Sequence, residues 1–152
     1  MFKIIWRKRR IIRRPRRGTR VSYLKYKEAA RELVKSRLEY YMRSIFSSPL
    51  VSKNASSFTD FTLLENNKLY QFKIGRVSIK NHKSRWGSCS KKGNLNFNYK
   101  LALLPQELAD YVIVHELCHL GEFNHSPKFW KLVARAIPNY KALKKKFKGL
   151  II

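Results

Sequence analysis

Apolar residues recur at helical spacing in several stretches of the chain. Between residues 24 and 46 they line one side of a predicted helix, and Lys, Arg and Glu occupy the other side. A second helix is predicted from Pro105, which suits a first helical position, to a turn at Gly121. Apolar stripes also predict a helix over residues 127–136 and a last one over residues 140–148.

Extended segments are predicted in the middle of the chain. Residues 70–74 and 76–79 read as strands, whereas residues 47–69 are rich in turn-forming residues. Residues 94–98 alternate polar and apolar side chains after a hairpin turn predicted at residues 91–93. Because the strands precede most of the helices, we expect an α+β fold with a small antiparallel sheet packed on helices.

The length of 152 residues is typical of one domain. Residues 1–22 are predicted to be short strands or a mobile basic arm, in which Val21 ends a strand, and residues 23–152 to be the domain itself. No apolar run approaches the roughly 18 residues of a membrane span, and the N-terminus lacks the apolar core of a secretory signal. We therefore expect a cytoplasmic location.

The chain is strongly basic, with 34 Lys and Arg against 9 Asp and Glu and a net charge of +25. Such an excess is typical of proteins that contact nucleic acid or another polyanion. For the arginine-rich first 20 residues, polyanion contact and a solvated surface are both open. For the C-terminal lysines we favour a solvated outer face of the last helix, formed by Lys141, Lys144, Lys145 and Lys148.

Three of the four histidines fall within eleven positions and suggest metal chemistry. His115 and His119 flank Glu116 in an HExxH pattern, and residues four apart on a helix share one face. Two imidazoles so placed can bind one zinc ion, and a glutamate beside them can take a proton from a water that the metal activates. The alternative is a pair of hydrogen-bonded helix histidines with no metal.

A catalytic zinc needs a third protein ligand and a position open to water. His125 is the strongest candidate, because the chain can turn back after Gly121 and Ser126-Pro127 then starts a new helix. Glu122 is the alternative third ligand. Cys89 and Cys118 lack a CxxC spacing and are expected to be reduced, although a disulfide between them stays open.

With these motifs assembled, the chain resembles the YgjP-like metallopeptidase domain, which is related to the SprT-like zinc peptidases of the zincin class. The resemblance covers residues 70–135 closely and 24–45 loosely. Four segments carry it: KSRWGSCS (residues 83–90), GNLNFN (93–98), YVIVHELCHL (111–120) and NHSPKFW (124–130).

The resemblance implies a zincin-like domain that hydrolyses peptide bonds, with one Zn²⁺ held by His115, His119 and His125 and Glu116 as the catalytic base. Arg85 is a candidate for stabilising the developing oxyanion, and the alternative is a salt-bridge partner. Trp86 and Gly87 are candidates for contacting an extended substrate at an edge strand, against a core role for Trp86. His82 is expected to be a surface residue.

Two other functions stay open at this point. The same metal centre can hydrolyse a phosphoanhydride or nucleotide, which a basic surface would attract. A nucleic-acid-associated module with a structural metal is the other alternative, and it requires a closed site of four protein ligands. The expected partners are therefore a peptide or protein substrate and, through the basic termini, nucleic acid or another polyanion.

Overall fold

The computed structural model describes residues 2–3, 20–46, 60–65 and 68–150. The helices in these ranges are α1 (Arg20–Phe46), a 3-10 helix (Tyr99–Leu103), α2 (Gln106–Cys118), α3 (Pro127–Ala136) and α4 (Tyr140–Lys148). The strands are β1 (Phe2–Lys3), β2 (Asp60–Glu65), β3 (Lys68–Lys73), β4 (Val77–Lys80), β5 (Gly87–Cys89) and β6 (Leu95–Asn98). The predicted α+β class is confirmed.

The larger sheet has the strand order β1-β5-β6-β4, and β2 and β3 form a separate antiparallel hairpin. β5 is antiparallel to both β1 and β6, but β4 is parallel to β6. The sheet is therefore mixed, which corrects the prediction of a wholly antiparallel one. β5 also has a neighbour on each side, so it is not the edge strand that was expected for residues 85–89.

The mixed order arises because residues 81–86 cross the end of β6 and carry the chain from β4 to the far side of that strand. Asn98, at the end of β6, is fully buried and holds this crossing. Its Nδ2 donates to the carbonyl oxygens of His82 (2.9 Å) and Arg85 (3.0 Å). Its backbone N–H donates to the carbonyl oxygen of Trp86 (2.8 Å). Each bond pairs a buried polar group, which would otherwise lose solvation without compensation.

Helix α2 forms the centre of the domain. Its residues from Leu108 to Cys118 are all buried, and it packs against α1, α3, α4, β5 and β6. Apolar residues lie on every side of this helix, which is typical of a core position, and each fully buried Leu, Ile or Val contributes about 1.5–3 kcal/mol. The acidic Glu107 in its first turn suits the positive end of the helix dipole.

Helix α1 begins at Arg20, four residues earlier than the apolar pattern predicted. Val21 is therefore helical and exposed, which corrects the prediction that it ends a strand. The cause is a tertiary contact at the first turn: Tyr23 packs edge-on against Tyr99 (5.6 Å between centroids) and donates a hydrogen bond to the Ile79 carbonyl oxygen (3.0 Å). Intrinsic helix propensity is a weak guide against such contacts.

Two predictions concern segments that are only partly described. Residues 4–19 lie outside the described ranges, so the basic arm and the division at residue 22 stay predictions. Residues 60–65, which belong to the segment read as turn-rich, form strand β2. This strand pairs with β3. No helix in the described part of the chain is long and apolar enough to cross a bilayer.

Candidate metal centre

The C-terminal end of α2 brings three imidazoles together. The Nε2 atom of His115 lies 3.2 Å from that of His119 and 2.9 Å from that of His125. One ring nitrogen from each histidine falls within 4.8 Å of the others. His115 and His119 are buried, whereas His125 is exposed and leaves the cluster open on its side.

A tight turn returns the chain to this cluster after the helix ends at Cys118. The backbone N–H groups of Gly121 and Glu122 both donate to the Cys118 carbonyl oxygen, at 3.1 and 3.0 Å. Ser126 then caps α3, because its Oγ accepts a hydrogen bond from the Phe129 N–H (3.4 Å). His125 therefore lies at a fixed corner between two helices, as the Gly and Ser-Pro pattern predicts.

Burial favours the neutral form of the imidazoles, and a hydrogen bond orients His119 for metal binding. His119 donates its Nδ1 proton to the Glu122 carbonyl oxygen (3.1 Å), which leaves a lone pair on the Nε2 that faces the cluster. Burial lowers the pKa of all three histidines, to about 4 for His119. Tetrahedral ligands at the roughly 2.0–2.1 Å typical of zinc–nitrogen bonds lie about 3.3 Å apart, close to the separations of 3.2 and 2.9 Å between His115 and the other two histidines. The residues thus fit a metal ion.

Glu116 lies beside this cluster in an unusual environment. Its side chain is fully buried, and neither carboxylate oxygen has a hydrogen-bond partner among the described residues. Burial raises the pKa of Glu116 well above its ordinary value, and the positive charge of Arg85 opposes this shift. A buried acid left without a partner lowers stability, which makes Glu116 a candidate for a chemical role.

Gly87 on β5 makes room for this carboxylate. A Cβ atom on Gly87 would lie 2.6 Å from both Cγ and Oε1 of Glu116, so no larger residue fits without moving the glutamate. Gly87 is itself buried, and Trp86 packs in the core with its ring 5.5 Å from Phe147 of α4. These positions favour the core alternative for Trp86 and give Gly87 a contact with Glu116 that the sequence did not indicate.

The other polar candidates take different positions. Glu122 supplies a backbone carbonyl oxygen to His119 and is not a member of the metal-binding group. His82 is half-buried in the crossing before β5, not exposed as expected. Cys89 and Cys118 are both buried free thiols, so they form no disulfide.

An aromatic stack beside His125 was not predicted as part of a site. Trp130 of α3 stacks on the His125 ring (5.7 Å, 22°) and on Tyr140 of α4 (5.4 Å, 14°). The Lys144 ammonium lies 3.7 Å from the centre of the Trp130 ring. Lys144 is half-buried while Lys141 and Lys145 are exposed, which corrects the prediction that all these lysines share one solvated face. The sequence signal for this contact was the spacing of four residues between Tyr140 and Lys144, which places both side chains on the same face of α4.

Comparisons with known proteins identify the family and the fold. The family model described as YgjP-like, metallopeptidase domain matches residues 7–149. The crystal structure of the metallopeptidase zymogen of Pyrococcus abyssi abylysin superposes with a TM-score of 0.52, over 75% of this chain and 90% of that chain. Its sequence identity is 21%, so this likeness concerns the fold. No curated protein matches the chain.

The family match spans most of the sequence and includes the whole histidine cluster and the crossing that carries Arg85. The superposition supports the same fold class independently of sequence identity. The chain therefore belongs to the YgjP-like metallopeptidase domain family and is a metal-dependent hydrolase.

Proposed function

We propose that the protein is a zinc-dependent metallopeptidase in which His115, His119 and His125 hold the ion and Glu116 is the general base. The observation that carries the proposal is the convergence of three imidazoles at the end of α2, where the buried Glu116 carboxylate has no hydrogen-bond partner among the described residues. Three histidine ligands with one open position are typical of catalytic zinc. When bound, zinc would supply a Lewis acid that activates water and polarises the substrate carbonyl.

The side chains of the protein then have separable tasks. Glu116 accepts a proton from the attacking water at a carboxylate oxygen and returns it to the amine that leaves. Burial raises the pKa of this carboxyl, which makes it a stronger base toward the proton of the water. Gly87 keeps the space in which this carboxylate sits, and His119 is oriented by its bond to the Glu122 carbonyl oxygen.

Arg85 is proposed to stabilise negative charge that develops on the substrate. Its charge already acts on Glu116, and the Asn98 side chain holds its backbone carbonyl in place. A fixed cation close to the reacting centre stabilises an oxyanion with little reorganisation. Asn98 at the end of β6 thus holds the segment that contains Arg85. That segment leads into Gly87 of β5, which lies against the Glu116 carboxylate.

A phosphoanhydride substrate is the second candidate, and the positive charges of Arg85 and Lys144 near the cluster favour it. A purely structural metal has less support. Closed structural zinc sites use four protein ligands, and the cluster among the described residues contains three. Polyanion contact through the arginine-rich N-terminus stays a prediction.

The test combines metal content with turnover. Purified protein should contain one zinc per chain and cleave unstructured peptides, and a chelator should abolish cleavage until zinc is restored. The same preparation is assayed on nucleoside triphosphates. Hydrolysis of nucleotides without hydrolysis of peptides would replace the peptidase by the second candidate, and a metal-independent activity would refute both.

A further inference from the structure

Lys144 differs from the other lysines of α4 because its ammonium is held in place beside the metal-binding cluster. It lies 3.7 Å from the centre of the Trp130 ring, and that ring stacks on His125. The ammonium is therefore one indole away from the exposed histidine of the cluster. A cation over an indole face gains about 0.5–2 kcal/mol, which favours one position for an otherwise flexible side chain.

The charge of Lys144 reaches the site from this position. It contributes to the lowered pKa of both His115 and His125, and partial burial and the neighbouring Lys148 lower the pKa of Lys144 itself. Lys144 therefore contributes positive potential at the opening beside His125, where an anionic group would interact favourably with it.

Arg85 supplies a second positive charge from a different element. It acts on Glu116 from the start of β5, whereas Lys144 acts on the histidines from α4, and both elements pack on α2. The surroundings of the reacting centre therefore favour a substrate with negative charge over one with positive charge.

Resting on the proposed peptidase function, we propose that Lys144 is a specificity-determining residue that binds a carboxylate of the substrate one or two residues from the scissile bond. An extended peptide advances about 3.3–3.6 Å per residue. A carboxylate one or two residues from the scissile bond can therefore reach across the Trp130 ring to Lys144. The pairing is a charge-assisted hydrogen bond. The carboxylate belongs either to an acidic side chain or to the C-terminus of the peptide.

The experiment uses the full zinc-loaded chain and quenched fluorescent peptides that differ only by Glu or Gln at each of two positions on either side of the scissile bond. Each peptide is made with a free and with an amidated C-terminus. The variants are Lys144→Gln and Lys144→Glu, and Lys145→Gln is the matched control because Lys145 is exposed on the same helix. The measured quantity is the ratio of kcat/KM for the Glu and Gln peptides.

We expect a ratio of about 10 for the wild type at low salt, falling at high salt as the charges are screened. Lys144→Gln should bring the ratio to about 1 and Lys144→Glu should bring it below 1. Lys145→Gln should leave it unchanged. A preference in amidated peptides assigns the carboxylate to a side chain, and a preference confined to free C-termini assigns it to the terminus.

A binding measurement separates this inference from the proposed function. Labelled peptides that lack the quencher are titrated against the Glu116→Gln variant, and the dissociation constants are read by fluorescence anisotropy. If no peptide is cleaved but Glu peptides still bind more tightly in a Lys144-dependent way, the peptidase proposal fails and the Lys144 assignment stands. If peptides are cleaved with a ratio near 1, or with a ratio that Lys144→Gln leaves unchanged, the Lys144 assignment is overturned.

Discussion

The two halves of α2 each contain a buried carboxylate, and the protein treats them in opposite ways. In the first half, Asp110 accepts two hydrogen bonds of 2.7 Å from the Nε and Nη2 atoms of Arg37 on α1. In the second half, Glu116 has no hydrogen-bond partner for either oxygen among the described residues. Both acids are buried on the same helix, six residues apart.

This difference separates a structural acid from one that is available for chemistry. The forked pairing satisfies Asp110 and joins α1 to α2, so its removal affects folding. Within the described part of the chain Glu116 has no such pairing, and the charge of Arg85 favours its ionised form. An unsatisfied buried acid lowers stability, and retaining it is consistent with a catalytic task.

The largest expected effect tests the role of the unpaired acid. Glu116→Gln keeps the shape of the side chain but cannot accept the proton, so kcat should fall by about 10²–10⁴. Zinc content should be unchanged, and the melting temperature should stay equal or rise because a buried ionisable group is gone. The measurements are peptide turnover, metal analysis and thermal melting. Turnover near the wild-type rate would exclude Glu116 as the base.

The next effect concerns the space around the same acid. Gly87→Ala places a Cβ in contact with Glu116 and should displace the carboxylate, because both groups are enclosed. A displacement of about 1 Å costs roughly 10² in rate, and overpacking costs about 1–3 kcal/mol of stability. The three histidines should still bind zinc. A variant as active as the wild type would show that Glu116 can move without loss.

The structural acid should respond in the opposite sense. Asp110→Asn weakens the forked pairing, and we expect the free energy of unfolding to fall by about 2–3 kcal/mol, slightly below the loss typical of fully buried pairs. Zinc-loaded activity should remain within about threefold. Chemical denaturation measures the first quantity and peptide turnover the second.

A control for this variant lies on α1. Arg31 pairs with Glu28 on the exposed surface of that helix, so Arg31→Ala should change stability by at most about 0.5 kcal/mol. If both variants lost the same stability, the contrast between the buried and the exposed pair would be wrong.

The smallest effect concerns Cys89, a buried acid near Glu116 that stays neutral. Burial, followed by the charge of Glu116, raises the pKa of the Cys89 thiol to about 12. Because the folded state holds the proton more tightly than the unfolded state, this thiol lowers stability as pH rises above the unfolded pKa of about 8.5, by up to about 1.4 kcal/mol per pH unit. Cys89→Ala should reduce this slope between pH 9 and 11 in denaturation curves. A slope identical to that of the wild type would contradict the assignment.

The sequence predicted the helices and the histidine cluster well because both depend on local spacing. The HExxH pattern lies at the end of a helix whose apolar residues predict burial, and Ser126-Pro127 starts the next helix one residue after His125. The start of α1 was missed because Tyr23 contacts residues far along the chain, which a local pattern does not contain. Strand β2 pairs with the adjacent β3, and it was missed because its residues were grouped with the turn-forming residues before them. Lys144 was read as solvated because helical spacing does not reveal which neighbour covers a helix.

By itself, the sequence determined the α+β class, the helical placement of His115 and Glu116, and the return of His125 toward them. Only the tertiary structure decided which polar groups are paired, because pairing brings together residues far apart in the chain. Arg37 reaches Asp110 across 73 positions, and Gly87 meets Glu116 from another element. Those distant contacts decide which buried acid is paired, and the proposed role of Glu116 depends on its lack of such a pairing among the described residues.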